Sequence, residues 1–159
     1  MLIREATAED WPAIWPFFHE IVSAGDTFTY PTDLGEDESR EMWMLAAPNR
    51  TVVAVDDTGD VVGSAKMNSN QGGPGSHIAS ASYMVAAAHS GRGVGRALCE
   101  YSLAWARETG FRGCSSTRSL RRIRGHWRYT GHSASRCWAR CPGGSGTRHR
   151  DTWACTSCT

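Results

Sequence analysis

The sequence predicts an α/β domain of the α+β kind, a mixed, mainly antiparallel sheet flanked by helices, and three local patterns predict it. Two β-rich runs, Thr51-Val52-Val53-Ala54-Val55 and Val61 to Met67, are separated by Asp56-Asp57-Thr58-Gly59-Asp60, a strong hairpin turn. Trp11, Ile14, Phe18 and Ile21 recur at helical spacing. A third apolar run, Ile78 to Val85, passes through a glycine-spaced turn into an amphipathic helix.

The elements follow in order. Leu2-Ile3-Arg4-Glu5-Ala6 reads as a short first strand, and Thr7-Ala8-Glu9-Asp10 has the form of a capping box opening a helix. Pro16 lacks an N–H and crowds the preceding turn, so a kink or break is expected there. Glu36 to Ala47 reads as a second helix with Met42, Trp43 and Leu45 turned inward, closed by Pro48. The hairpin comes next, then the loop Gln71-Gly72-Gly73-Pro74-Gly75 and the third run. Val94, Ala97, Leu98, Tyr101 and Trp105 mark one face of the last helix, which should end near Gly110 at a C′ glycine. Cys99, one turn inside it, reads as a small packed residue rather than a nucleophile.

With 159 residues the length suits one domain. No stretch approaches the roughly 18 apolar residues of a membrane span, and Met1-Leu2-Ile3-Arg4-Glu5 lacks the basic and apolar regions of a signal peptide, so a cytoplasmic protein is expected. The net charge of +1 conceals a division: 15 acidic and 7 basic residues lie within 1–110, against 1 acidic residue and 10 arginines within 111–159.

The segment Ser90-Gly91-Arg92-Gly93-Val94-Gly95-Arg96 carries the chemistry. Glycines remove the Cβ atoms that would block a backbone curling around an anion, and the N–H groups at the start of the following helix attract negative charge. A strand, this loop and a helix in that order point to a pyrophosphate site. The unit resembles the acetyl-CoA-binding motif of the GNAT N-acetyltransferases, whose loop reads Arg/Gln-x-x-Gly-x-Gly/Ala; Ser90 departs at the first position, where Arg92 and Arg96 offer the charge instead. The order of one strand, two helices, three antiparallel strands and a helix is also similar to the first two-thirds of that fold, over residues 1–112.

The resemblance implies transfer of an acetyl group from acetyl-CoA, the co-substrate, to a primary or secondary amine that attacks the thioester directly in a ternary complex. It implies that main-chain groups of Met84 and Val85 meet the pantetheine arm, and that Ser90, Gly91, Arg92, Gly93, Val94, Gly95 and Arg96 hold the pyrophosphate. In that fold the arm lies in a gap between the fourth strand and the fifth. His77, Tyr83 and Glu20 are the candidates for a base. Gly75 to Ala81 looks similar to GNAT enzymes that acetylate small amino-acid-like or toxic amines, with Phe28, Tyr30 and the Trp11 to Phe18 cluster either walling a pocket or filling a core. The partner implied is a small-molecule amine, with no membrane, metal or nucleic acid; homodimerisation is left open.

Residues 113–159 read differently. From Cys114 onward there is no Val, Met, Phe, Lys or Glu, and five of the six cysteines lie there. Such a segment offers too little apolar surface to offset its ordering entropy, and it is not expected to follow the fold. Its composition is that of GC-rich DNA translated out of phase, a frameshift. Arg128-Tyr129-Thr130 permits Leu, Ile or Val followed by Tyr or His in the shifted frame, and Gly131 to Ser135 permits Phe or Leu, then Gly, then Phe or Leu. Those positions allow the Leu-Tyr-x-x-x-Gly-Phe motif of the family, whose tyrosine is its usual general acid; in the present frame Tyr129 stands in unrelated surroundings and does not inherit that role. Two further readings remain: zinc held by Cys137-x3-Cys141 and Cys155-x2-Cys158 around His149, or RNA gripped by the arginines and interleaved Trp127, Tyr129, Trp138 and Trp153. A CoA-binding module without catalysis is the alternative function for the core.

Overall fold

A computed structural model describes residues 1–116. The zinc cluster, the RNA-binding stripe and all of the shifted-frame reading beyond residue 116 lie outside the described residues.

The strands β1 (Leu2–Glu5), β2 (Arg50–Val55), β3 (Val61–Ser69), β4 (Ile78–Val85) and β5 (Gly113–Ser116) form one sheet in the order β1-β2-β3-β4-β5. The first three pairings are antiparallel and the last, β4 with β5, is parallel. The hairpin between β2 and β3 is built by its aspartate: Asp56 Oδ1 accepts from the Thr58 hydroxyl at 2.6 Å and from the N–H groups of Thr58 and Asp60, each at 3.0 Å. Gly59 completes the turn at φ +95°, a conformation that L side chains resist.

Helices cover both faces. On one, α1 (Trp11–Ser23) and α2 (Glu36–Trp43) bury Trp11, Ile14, Phe18, Trp43, Val53 and Met84 together. On the other, α3 (Val94–Glu108) sets Val94, Leu98, Trp105 and Ala106 against Val52, Ala54, Ala65 and Ala79. Alternation along β4 divides it between the two cores: Ala79 and Ala81 face α3, whereas Met84 faces α1. The C-terminus of α3 falls where the sequence predicts, with Gly110 in the left-handed region at φ +82°. No helix among the described residues is long and apolar enough to cross a membrane.

Thr7 opens a single 3-10 turn (Ala8–Asp10) leading into α1. The Asp10 carboxylate accepts from the Thr7 N–H at 2.7 Å, from the Thr7 hydroxyl at 3.1 Å, and from both Arg4 guanidinium nitrogens, each at 2.7 Å. The Arg4 bonds lead in holding this buried carboxyl down to about 2, with the Thr7 groups helping against desolvation.

Three expectations are corrected. Of the kink or break expected at Pro16, the break does not occur: the helix is continuous from Trp11 to Ser23. That proline can forfeit only the bond to the Pro12 carbonyl in the first turns, and the buried Ile14, Phe17 and Phe18 around it carry the helix through. The second helix ends at Trp43, not Ala47. The Thr51 hydroxyl donates to the Trp43 carbonyl at 2.6 Å and accepts the Leu45 N–H at 3.0 Å, drawing the chain out of the helix toward β2. Finally, the fold does not stop at residue 112: Gly113 to Ser116 pair with Ile78 to Ala81, led by an Arg112 N–H to His77 carbonyl bond of 2.7 Å. Strand pairing is a main-chain interaction and needs few apolar side chains; Phe111 and Cys114 still pack on the α3 core.

Candidate active site

The site is built at the end of β4. This strand pairs with β3 along almost its whole length, from Ala79 to Val85, yet with β5 only from Ile78 to Ala81. Among the described residues, Tyr83 to Val85 therefore pair on one side only. Met84 and Val85 turn their side chains into the two cores, so the groups they offer at this edge are main-chain groups.

Beyond β4 a 3-10 turn (Ala87–His89) leads to Ser90, which is extended, and then to Gly91 at φ +79° and Gly93 at φ +84°. Gly93 is the N-cap of α3, and the Ala97 N–H makes the first helical bond, to the Gly93 carbonyl at 3.0 Å. The N–H groups of Val94 and Gly95 precede that donor and point out along the axis, where the helix dipole is positive. A Cβ at Gly91 or Gly93 would meet nothing within 4 Å, which leaves the concave side of the loop open. Gly95 rests on the strand, since a Cβ there would lie 3.6 Å from Val85 Cγ2. Val94 is buried, which anchors the first turn, and His89 Nε2 lies 3.8 Å from Asp56 Oδ2 in the hairpin turn.

The seven loop residues named from sequence are thus brought together, with one qualification. Arg96 is committed to Glu100, Nε to Oε1 at 2.8 Å, so the exposed Arg92 is the cation of the loop not engaged in that pair.

The three candidate bases are placed differently. His77 precedes the opposite end of β4, seven residues and about 23 Å of extended chain from Met84, with Nδ1 2.8 Å from the Pro74 carbonyl. Glu20 is exposed on α1, away from the buried face of that helix. Tyr83 faces α3, its hydroxyl 2.5 Å from Ser102 Oγ, and burial pushes its phenol well above the ordinary value. Burial favours the neutral phenol.

The aromatic cluster proves to be mainly core. Phe18 and Trp43 are fully buried with ring centroids 5.5 Å apart, and Phe28 meets Trp43 edge-on. Tyr30, half-buried and stacked on Phe28 at 5.2 Å, forms its rim. There the structure adds a residue not singled out from sequence: Lys66 of β3, whose Nζ lies 5.3 Å from the Tyr30 ring centroid and 3.1 Å from the Met42 carbonyl. Its signal in the sequence is that it is the only lysine in the chain.

Comparisons with known proteins agree with this geometry. Residues 11–121 match the model of the acetyltransferase (GNAT) family. A GCN5-related N-acetyltransferase from Kribbella flavida is 54% identical, with a TM-score of 0.67, over 69% of this chain and 67% of that one. Ribosomal-protein-alanine N-acetyltransferase from Brucella melitensis is 27% identical, with a TM-score of 0.59, over 70% of each chain. The fold is also that of a phosphinothricin acetyltransferase from Sinorhizobium meliloti in complex with acetyl-CoA, 24% identical with a TM-score of 0.63, over 69% of this chain and 61% of that one. Among curated protein sequences none matches. A glycine loop opening α3 beyond the end of β4, the family match over most of the chain and a majority-identical relative lead to one conclusion: the chain belongs to the GNAT family of acetyl-CoA-dependent N-acetyltransferases.

Proposed function

We propose that the acceptor is the amine of a small molecule, amino-acid-like or toxic, and that it attacks the thioester of acetyl-CoA directly within a ternary complex. The acceptor class rests on the resemblance of the stretch Gly75 to Ala81, and the acetyl-CoA half of the reading is supported by the left-handed Gly91 and Gly93 and the α3 N-terminus at the end of β4, where Tyr83 to Val85 pair on one side only among the described residues. In this reading the loop N–H groups hold the pyrophosphate, and the main chain of Met84 and Val85 meets the pantetheine arm, aligning the thioester for attack. The His77 and Tyr83 side chains are engaged by the Pro74 carbonyl and Ser102, so in this reading the amine passes its proton to water or to Glu20, which is exposed on α1.

The frame of residues 113–159 favours a second reading, binding without turnover, because the Leu-Tyr-x-x-x-Gly-Phe motif with its general acid is absent from the chain. General acid catalysis is worth about 10² to 10⁴ in rate, so its loss removes turnover while the glycine loop still binds CoA. Thiol release from acetyl-CoA with a panel of small amines decides between them. The assay is run on this chain and on a version whose frame is restored by one base near codon 113. Turnover confined to the restored chain supports the second reading; equal turnover by both overturns the frameshift. If neither binds CoA, the assignment of the loop fails.

A further inference from the structure

We propose that Lys66, with Tyr30 beside it, forms a subsite for a carboxylate on the acceptor, so that the amine acetylated is carried by a small carboxylic acid. The inference rests on the placement of the thioester along β4 proposed above. Lys66 stands opposite Ser82 in the β3–β4 register, two residues before Met84. Neighbouring strands are about 4.8 Å apart, so a lysine side chain at this position reaches a ligand lying over Ser82. Its ammonium stands on the face that carries α1 and α2, held at 3.1 Å by the Met42 carbonyl and flanked by the Tyr30 and Trp43 rings at 5.3 and 5.4 Å.

An ammonium has three N–H donors, and the Met42 carbonyl takes one. The rings attract the charge without accepting a full hydrogen bond. Among the described residues no carboxylate lies within ion-pair distance of Lys66. A half-buried cation left without an anion loses hydration that only an opposite charge restores well. Tyr30 belongs to the segment joining α1 to α2 and supplies an apolar ring beside the ammonium, a setting that suits the short, partly apolar body of such an acid. A purely structural lysine, closing the C-terminus of α2 through Met42, is the competing role, and the test separates the two.

The protein is loaded with CoA and titrated calorimetrically with an α-amino acid and with the corresponding amino-acid amide, which keeps the amine and removes the anion. The intact chain is expected to bind the acid about tenfold or more tightly than the amide. Lys66→Gln should bring that ratio close to one, and Lys66→Arg should retain most of it. Thermal unfolding of each variant is read in parallel. A ratio unchanged in Lys66→Gln, or absent from the intact chain while CoA binds normally, overturns the carboxylate subsite and leaves the CoA site standing. If CoA itself does not bind, the assignment of the loop fails and the subsite falls with it.

Discussion

Gly63 and Val94 touch so closely that a Cβ on Gly63 would lie 2.9 Å from Val94 Cγ1, and equally 2.9 Å from the Met84 carbonyl oxygen. The first residue of the helix that presents the glycine loop is therefore seated on a position of β3 with no side chain. Gly63→Ala should push α3 off the sheet, because the Met84 carbonyl belongs to a paired strand and cannot yield. Overpacking of this kind costs about 1–3 kcal/mol. Urea unfolding should show that loss and calorimetry should show weaker CoA binding; wild-type values for both would mean that the helix does not depend on this contact.

The loop glycines should separate into two kinds. Gly93 has φ +84°, so Gly93→Ala places an L residue in the left-handed region at a cost of about 1–2 kcal/mol and disturbs the cap of α3. Gly95 is helical, and its added methyl would make only an ordinary 3.6 Å contact with Val85 Cγ2. Gly95→Ala should hold or raise stability, by up to about 1 kcal/mol, yet weaken CoA binding by setting a methyl group where the phosphates approach. Ser90→Ala should change neither quantity. Stability and affinity falling in parallel across the series would argue that the glycines serve the fold alone.

Acid should weaken the entry to α1 through Asp10. Its carboxyl lies near 2 in the folded protein, below the usual unfolded value near 4, so the stabilisation is fully present above about pH 4 and is lost as pH falls through about 2. The magnitude is about 2 kcal/mol, allowing for screening at the exposed end of Arg4. Asp10→Asn should show this loss at pH 7 and a smaller further loss between pH 4 and 2 than the parent chain. Identical acid profiles for the two would exclude the pair as the source.

Removal of the Tyr83 hydroxyl should affect stability and leave the chemistry unchanged. Tyr83→Phe deletes the 2.5 Å bond to the buried Ser102, costing about 1 kcal/mol because the serine hydroxyl keeps its bond to the Cys99 carbonyl at 2.8 Å. CoA affinity and the pH profile of any acetyl transfer should be unchanged. A shifted profile would return Tyr83 to the reaction as a proton-transfer group.

Features set by a few consecutive residues were legible in the sequence. Asp56 to Asp60 make their turn through bonds within the turn itself, and Gly91, Gly93 and Gly110 stand where the backbone has positive φ, which a reader of sequence can expect because other residues pay for that conformation. Helical spacing likewise marked the buried faces of α1 and α3, and the motif and its order pointed to the family. Tertiary structure decided whatever depends on a distant partner. The aromatic packing carried α1 through Pro16, the Thr51 hydroxyl ended α2 at Trp43, and the free main chain of β4 drew Gly113 to Ser116 into the sheet. The same holds for the candidate bases. Residue type marks His77, Tyr83 and Glu20 as able to move protons, but strand parity, helix face and the position of Ser102 determine where each side chain points. Lys66 was hidden for that reason: a lysine within a strand reads as a solvated charge until the fold brings Met42, Tyr30 and Trp43 around it.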